Sequence, residues 1–217
     1  MTVVKICGLT RLDDALAAAE AGADLLGFVL VESSPRFVDP GRAGEIIADL
    51  RARGISLPCV GVVAGLPAGE GRRLKERWGF NLMQVHGEGE EDLISDLYPE
   101  VIVARQVCGL QSLVSLARIP AFAYLLDARG IDRRHGGAVT WDWQLLQEVR
   151  IPGRVIVAGG LRPGNVAEAV RAARPYGVDV ASGVESEPGR KDRAAMVEFV
   201  RTVREVDREE EDRVGGR

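Results

Sequence analysis

Eight times along this chain a short apolar run, rich in β-branched residues, gives way to a segment of helical period, and no other feature narrows the possible folds as far. The apolar runs fall near 3–7, 24–30, 58–64, 81–85, 101–106, 121–126, 154–158 and 178–181, with helical segments near 11–21, 41–53, 68–78, 89–97, 110–118, 142–149, 163–173 and 190–205. Most runs are continuously apolar rather than alternating, as strands covered on both faces of a parallel sheet are. Gly22, Gly54 and Gly79 stand where the first three helices should stop. Strict strand–helix alternation implies a parallel sheet, and eight units in about 200 residues imply closure into a single (β/α)8 barrel near the lower size limit of that fold. The competing architecture, an open doubly wound sheet, lacks its expected G-x-G-x-x-G after the first strand. The barrel is expected over residues 1–206. The tail 207–217, dense in Asp, Glu and Arg and ending Gly-Gly-Arg, is expected to fray and to carry no function.

Charge and composition remove several classes of function. The formal net charge is -4, and the basic residues are scattered over the predicted helices rather than gathered in a stripe, so no nucleic-acid partner is expected. None of the apolar runs approaches the roughly 20 residues needed to span a bilayer, and the amino terminus enters a strand without a signal-peptide pattern, so no membrane partner and a cytoplasmic location are expected. Cys7, Cys59 and Cys108 form neither a C-x-x-C nor a Cys/His spacing, which argues for reduced thiols and against a structural metal site.

In such barrels the residues just after each strand line one rim, and function is sought there. The first strand ends Lys5-Ile6-Cys7-Gly8, and strand alternation puts Lys5 and Cys7 on one face, toward a lumen. Gly8 permits a sharp turn, and Thr10 is suited to cap the following helix. Cys7 then reads either as a pocket thiol or as a small core hydrophobe. Arg36 follows strand two in Ser34-Pro35-Arg36-Phe37, its planar fork suited to a carboxylate unless it is simply a solvated loop residue. Gln84 and His86 share a face at the end of strand four, with His86 either structural or in contact with a ligand. Asp127 closes strand six, where desolvation would help it hold a proton, unless it caps the next loop or pairs with Lys5. Gly159 and Gly160 after strand seven, and Ser182 and Gly183 after strand eight, expose backbone amides where this fold places phosphate, with plain tight turns as the alternative.

Taken together, KICGLT at 5–10, SPRFV at 34–38, QVHGE at 84–88, LLD at 125–127, AGGL at 158–161 and DVASGVE at 179–185 resemble the phosphoribosylanthranilate isomerase family of tryptophan biosynthesis, in order and over the chain to about residue 205. The resemblance implies a barrel without cofactor or metal, a small-molecule phosphosugar substrate, and a monomer or homodimer. It implies an Amadori rearrangement in which Cys7 is the general base and Asp127 the general acid. Arg36 corresponds to the residue holding the anthranilate carboxylate, and Gly159, Gly160, Ser182 and Gly183 fall where the family binds phosphate; Asp179 matches an acid on strand eight whose role stays open. A thiol of pKa near 8.5 is only about 3% ionised at pH 7, so the site is expected to favour the thiolate, with Lys5 the nearest cation in sequence. One stretch departs from the family: His135-Gly136-Gly137-Ala138-Val139-Thr140-Trp141-Asp142-Trp143 stands where GG[ST]G and FDW are usual, which bears on how loop six closes. Other phosphosugar barrels of tryptophan or histidine biosynthesis use lysine and glutamates or paired aspartates as their acid–base groups. A catalytically silent binding barrel would be expected to have lost Cys7 or Asp127, and both are present.

Overall fold

Eight parallel strands hydrogen-bond in sequence order and close into a barrel, β8 returning to β1. The computed structural model describes residues 1–128, 141–149 and 151–215. The strands are β1 (Val3–Ile6), β2 (Leu25–Val29), β3 (Cys59–Val63), β4 (Leu82–His86), β5 (Val101–Val107), β6 (Ala123–Ala128), β7 (Arg154–Val157) and β8 (Gly177–Val180). The intervening helices are α1 (Leu12–Glu20), α2 (Pro40–Ala52), α3 (Glu70–Trp78), α4 (Glu91–Leu97), α5 (Leu110–Val114), α6 (Leu145–Glu148) and α7 (Pro163–Ala173). After β8 come a short antiparallel pair, β9 (Glu185–Glu187) and β10 (Arg190–Lys191), and then α8 (Arg193–Gly215).

Alternation along the strands divides the core in two. Val4, Ile6, Met83, Val85, Tyr124, Leu126, Val178 and Val180 face outward into the layer beneath the helices. Leu25, Val60, Leu82, Ile102, Ala123, Leu125 and Ile156 fill the lumen, as expected of a barrel whose interior is packed rather than open. The helix stops read from sequence are realised: Gly22, Gly54 and Gly79 have φ of 92°, 79° and 77°, values at which a Cβ would be strained. Asp39 caps α2 by accepting from the N–H groups of Gly41 and Arg42 at 2.8 and 3.1 Å.

Three expectations need correction. Thr10 does not cap α1; its hydroxyl donates to the Gly189 carbonyl at 2.7 Å and ties loop one to the β9–β10 turn. The last helix begins at Arg193 rather than near 190, because the preceding residues form the β9–β10 pair, whose turn has Gly189 at φ 82°. The helix expected over 142–149 is the single turn α6, where Asp142 accepts from the Gln144 N–H at 3.0 Å and so offers the backbone a turn in place of a helix. The altered loop-six residues His135–Thr140 lie outside the described residues.

α8 also continues through the charged tail, where fraying is the expectation from composition. Long-range partners account for the order. Asp207 accepts from the Thr2 N–H and hydroxyl at 2.8 and 2.6 Å, and Glu209 pairs with Arg171 at 2.8 Å. Arg204 donates to the Thr2 carbonyl at 2.5 Å, to the Gly22 carbonyl at 3.2 Å and to the Asp24 carboxylate at 2.7 Å, so one side chain joins α8 to β1 and to the start of β2. This clasp lies at the amino-terminal ends of the strands, the face that serves stability in this fold. Arg204→Met should therefore cost about 2 kcal/mol, lowering Tm by roughly 4–8 °C, while kcat/KM per folded molecule stays at the wild-type value. Calorimetry and a parallel activity assay check both halves of that expectation.

Candidate active site

Closing β1 against β8 puts Lys5 directly opposite Asp179. Their side chains meet in the lumen at 2.8 Å, Lys5 fully buried and Asp179 about nine-tenths buried. Burial acts to discharge Lys5, but the Asp179 carboxylate and the Cys7 sulfur outweigh it and keep the ammonium charged, its pKa above the ordinary value. Cys7 lies one step further toward the rim on the same face, its N–H bonded to the Val180 carbonyl at 2.9 Å. Its thiol is buried, and burial pushes its pKa up; Lys5 and Lys191 pull it down, and Asp179 adds to the rise. Burial thus works against the thiolate that the sequence reading expects, and the cations work for it. Lys5 is indeed the strongest of the cations acting on it, but its charge is shared with Asp179.

Two glycines make room for these groups. A Cβ on Gly27 of β2 would lie 2.7 Å from Cys7 Sγ and 3.0 Å from its Cα, so the strand beside Cys7 must lack a side chain at that point. Gly8, at φ 77°, completes the turn after Cys7, and a Cβ there would lie 2.6 Å from Arg36 Cδ. Arg36 thus lies across the turn that follows Cys7. One edge of its fork is taken: Nε and Nη2 both engage the Glu185 carboxylate, at 2.9, 3.1 and 2.6 Å. Lys191 Nζ donates to the same carboxylate at 2.8 Å and to the Ala181 carbonyl at 3.0 Å. Burial alone would raise the Glu185 pKa, but hydrogen bonds from Arg36 and Lys191 bring it below the ordinary value.

His86 also turns into the lumen, on the face it shares with Leu82 and Gln84. Burial, with Lys5 nearby, lowers its pKa to about 4, so the ring is neutral at pH 7. Its Nε2 lies 2.6 Å from the Gln84 side-chain amide, whose orientation sets which ring nitrogen carries the proton. Asp127 is the last residue but one of β6, on the face of Ala123 and Leu125 that lines the lumen, three places round the barrel from β1 and paired in register with Gln106 of β5.

At the other side of the rim, Gly159 and Gly160 turn with φ of 89° and 63°, and among the described residues their N–H groups make no hydrogen bond. Gly183 is required for a different reason than turn conformation. A Cβ on it would lie 1.8 Å from the Leu161 carbonyl oxygen, so the loops after β7 and β8 are pressed together at this residue. Ser182 opens the 3-10 turn Ser182–Val184 in the second of these loops. Among the described residues no group of three His, Cys, Asp or Glu side chains is placed to hold a metal ion.

Sequence reasoning passed over Gly27, Glu185 and Lys191. A glycine inside an apolar strand is itself a signal of close approach, and Glu185 stood at the end of a motif already quoted. Lys191 offered no local signal, since its role arises only when the β9–β10 pair folds back over loops one and two.

The family model described as N-(5'phosphoribosyl)anthranilate (PRA) isomerase matches residues 4–202. An N-(5'-phosphoribosyl)anthranilate isomerase of Geobacter sp. (strain M21) is 42% identical over 200 residues, covering 92% of this chain and 97% of that relative. The crystal structure of phosphoribosyl anthranilate isomerase from Thermotoga maritima superposes with a TM-score of 0.84 at 32% identity, covering 94% of this chain and 100% of that one. A further solved structure of such an isomerase, in complex with reduced 1-(o-carboxyphenylamino)-1-deoxyribulose 5-phosphate, has a TM-score of 0.79 at 31% identity, covering 94% and 100% of the two chains.

The raised thiol pKa has a measurable consequence. Only the thiolate is alkylated, so with a pKa above the ordinary 8.5 or so the rate at Cys7 should still be climbing at pH 9, whereas exposed Cys108 serves as an internal reference. Mass spectrometry of iodoacetamide-treated protein across pH 6–10 checks this, and a Cys7 rate already level at pH 7 would mean that the cations win over burial.

Proposed function

The chain belongs to the N-(5'-phosphoribosyl)anthranilate isomerase family of tryptophan biosynthesis, and from that premise we propose that Cys7 and Asp127 carry out the isomerisation as base and acid. The observation that carries the assignment is the seating of Cys7 between the lumen cation Lys5 and the turn crossed by Arg36, with Asp127 on the lumen face of a strand three places away. A ring and a developing carbanion have to be addressed from separate directions, and two strand ends apart on one rim supply that.

In this reading Asp127 protonates the furanose ring oxygen, and the C1'–O bond breaks to give the open-chain Schiff base. Cys7, as thiolate, removes the proton from C2' and leaves an enolamine, which tautomerises to the aminoketone 1-(2-carboxyphenylamino)-1-deoxyribulose 5-phosphate. The reacting form carries Cys7 as the thiolate, its proton given up to solvent before the substrate binds, and Lys5 is the cation placed to stabilise that anion. His86, neutral, is placed to hydrogen-bond a sugar oxygen without adding charge. Arg36 holds the aromatic carboxylate, and the amides of Gly159, Gly160, Ser182 and Gly183 hold the phosphate at the opposite end; Asp179 acts by orienting Lys5. The ring C1'–O bond opens, and the oxidation of C2' is balanced by the reduction of C1' within one substrate, so the chemistry calls for no external oxidant or reductant. A relative from Thermotoga maritima is dimeric, and this chain is expected as a monomer or homodimer. Free Cys7, Cys59 and Cys108 suit a reducing, cytoplasmic location.

Substitution separates the two roles. Cys7→Ser replaces a thiol by a much weaker acid of similar shape, so kcat should fall by about 10²-fold or more with KM little changed. Asp127→Asn keeps shape but has no proton to deliver, and should melt like the wild type yet be nearly inactive. Loss of anthranilate-adduct fluorescence reports turnover for both. Near-normal turnover in Cys7→Ser, or an Asp127→Asn protein that melts much lower and works normally per folded molecule, would remove the residue from the mechanism.

A further inference from the structure

A guanidinium has two edges able to take a carboxylate side-on, one formed by Nε and Nη2 and the other by Nη1 and Nη2. In this protein the first edge of Arg36 is filled by Glu185, with contacts of 2.9 Å from Nε and 2.6 Å from Nη2. Among the described residues Nη1 makes no hydrogen bond, and the Arg36 side chain keeps about a fifth of its surface exposed while Glu185 keeps 4%. Glu185 is itself held by Lys191, whose side chain is wholly buried, through a 2.8 Å contact, and the Gly189 N–H points at the same carboxylate at 3.4 Å. The Lys191 N–H in turn donates to Asp14 of α1 at 3.2 Å. The pair β9–β10 is thereby tied to loop one and to Arg36 of loop two.

From this geometry we infer that Glu185, secured by Lys191, is a positioning residue that fixes Arg36 so that its Nη1–Nη2 edge alone faces the rim and selects a planar aromatic carboxylate. The inference rests on the reading of Arg36 as the carboxylate site. Two cations and one anion leave the cluster with a net charge of about +1, which matches a single incoming carboxylate without leaving a buried charge unbalanced. A long, freely rotating arginine would supply the same charge, but it would have to be immobilised on binding, and that ordering weakens affinity.

Glu185→Gln distinguishes positioning from charge, because the two act in opposite directions. It removes an anion and makes the cluster more positive, so attraction alone predicts tighter binding of a carboxylate; loss of the clamp predicts weaker binding. Two probes are compared by calorimetry: reduced 1-(2-carboxyphenylamino)-1-deoxyribulose 5-phosphate and the corresponding phenylamino compound that lacks the carboxylate. In Glu185→Gln the preference of the wild type for the first over the second should shrink about tenfold, KM for the substrate should rise by a similar factor, and kcat should stay within about threefold. The double variant Glu185→Gln/Lys191→Met keeps the net charge of the cluster, leaves no buried lysine without its anion, and should show the same shrinkage. A preference that is retained or increased in these variants, or equal losses for both probes, would overturn the positioning role. A wild-type protein that shows no preference between the probes would instead overturn the reading of Arg36 on which the inference rests.

Discussion

The seam that closes the barrel carries a buried charge pair. Lys5 of the first strand and Asp179 of the last are direct partners in the β1–β8 register, and their side chains meet at 2.8 Å inside the lumen. A lone charge at that depth would be strongly destabilising, and removing one partner from such a pair costs about 3–5 kcal/mol. The rest of the upper lumen depends on this pair being made. Its ammonium raises the cost of protonating His86, lowers the cost of ionising Cys7, and sits one strand step below the thiol it serves. Below it the lumen is apolar, filled by Leu25, Val60, Leu82, Ile102 and Ile156, so the change from scaffold to site occurs at a definite layer of the barrel.

Above that layer the charges are arranged by position. Glu185 lies between Arg36 and Lys191 with hydrogen bonds from both, while the loops of β7 and β8 present glycine amides and no charged side chain among Gly159, Gly160, Ser182 and Gly183. In our reading this polarises the rim: a guanidinium for one end of a doubly anionic substrate, backbone amides for the other, and the proton-transfer groups between them. Gly183 is pressed against the Leu161 carbonyl, so a side chain at position 183 would push the two amide loops apart.

Much of this was legible from the chain. Alternation of apolar and helical-period segments reports a local property, and helix stops such as Gly22, Gly54 and Gly79 follow from the φ values that only glycine takes easily. The parity of Lys5 and Cys7, of Gln84 and His86, and the place of Asp127 at a strand end are equally local. What was not legible depends on residues brought together from far apart. Arg36 reads as a loop arginine until Glu185, 149 residues away, fills one edge of its fork. The tail reads as a solvated charge run until Thr2 and Arg171 receive Asp207 and Glu209. Burial likewise acts on the Cys7 thiol against the pull of Lys5, an effect that sequence neighbours do not report.

In our reading one rim holds a single substrate extended from Arg36 to the glycine loops, with Cys7 and Asp127 on separate sides of its C1'–C2' bond. A crystal structure of this protein with reduced 1-(2-carboxyphenylamino)-1-deoxyribulose 5-phosphate tests it most directly. The benzoate carboxylate is expected on the Nη1–Nη2 edge of Arg36 with Glu185 still in place, the phosphate on the amides of Gly160 and Gly183, and Cys7 Sγ within about 4 Å of C2' in the near-attack range that proton transfer needs. A ligand bound in the reverse sense, or one whose C2' lies beyond the reach of Cys7, would contradict it.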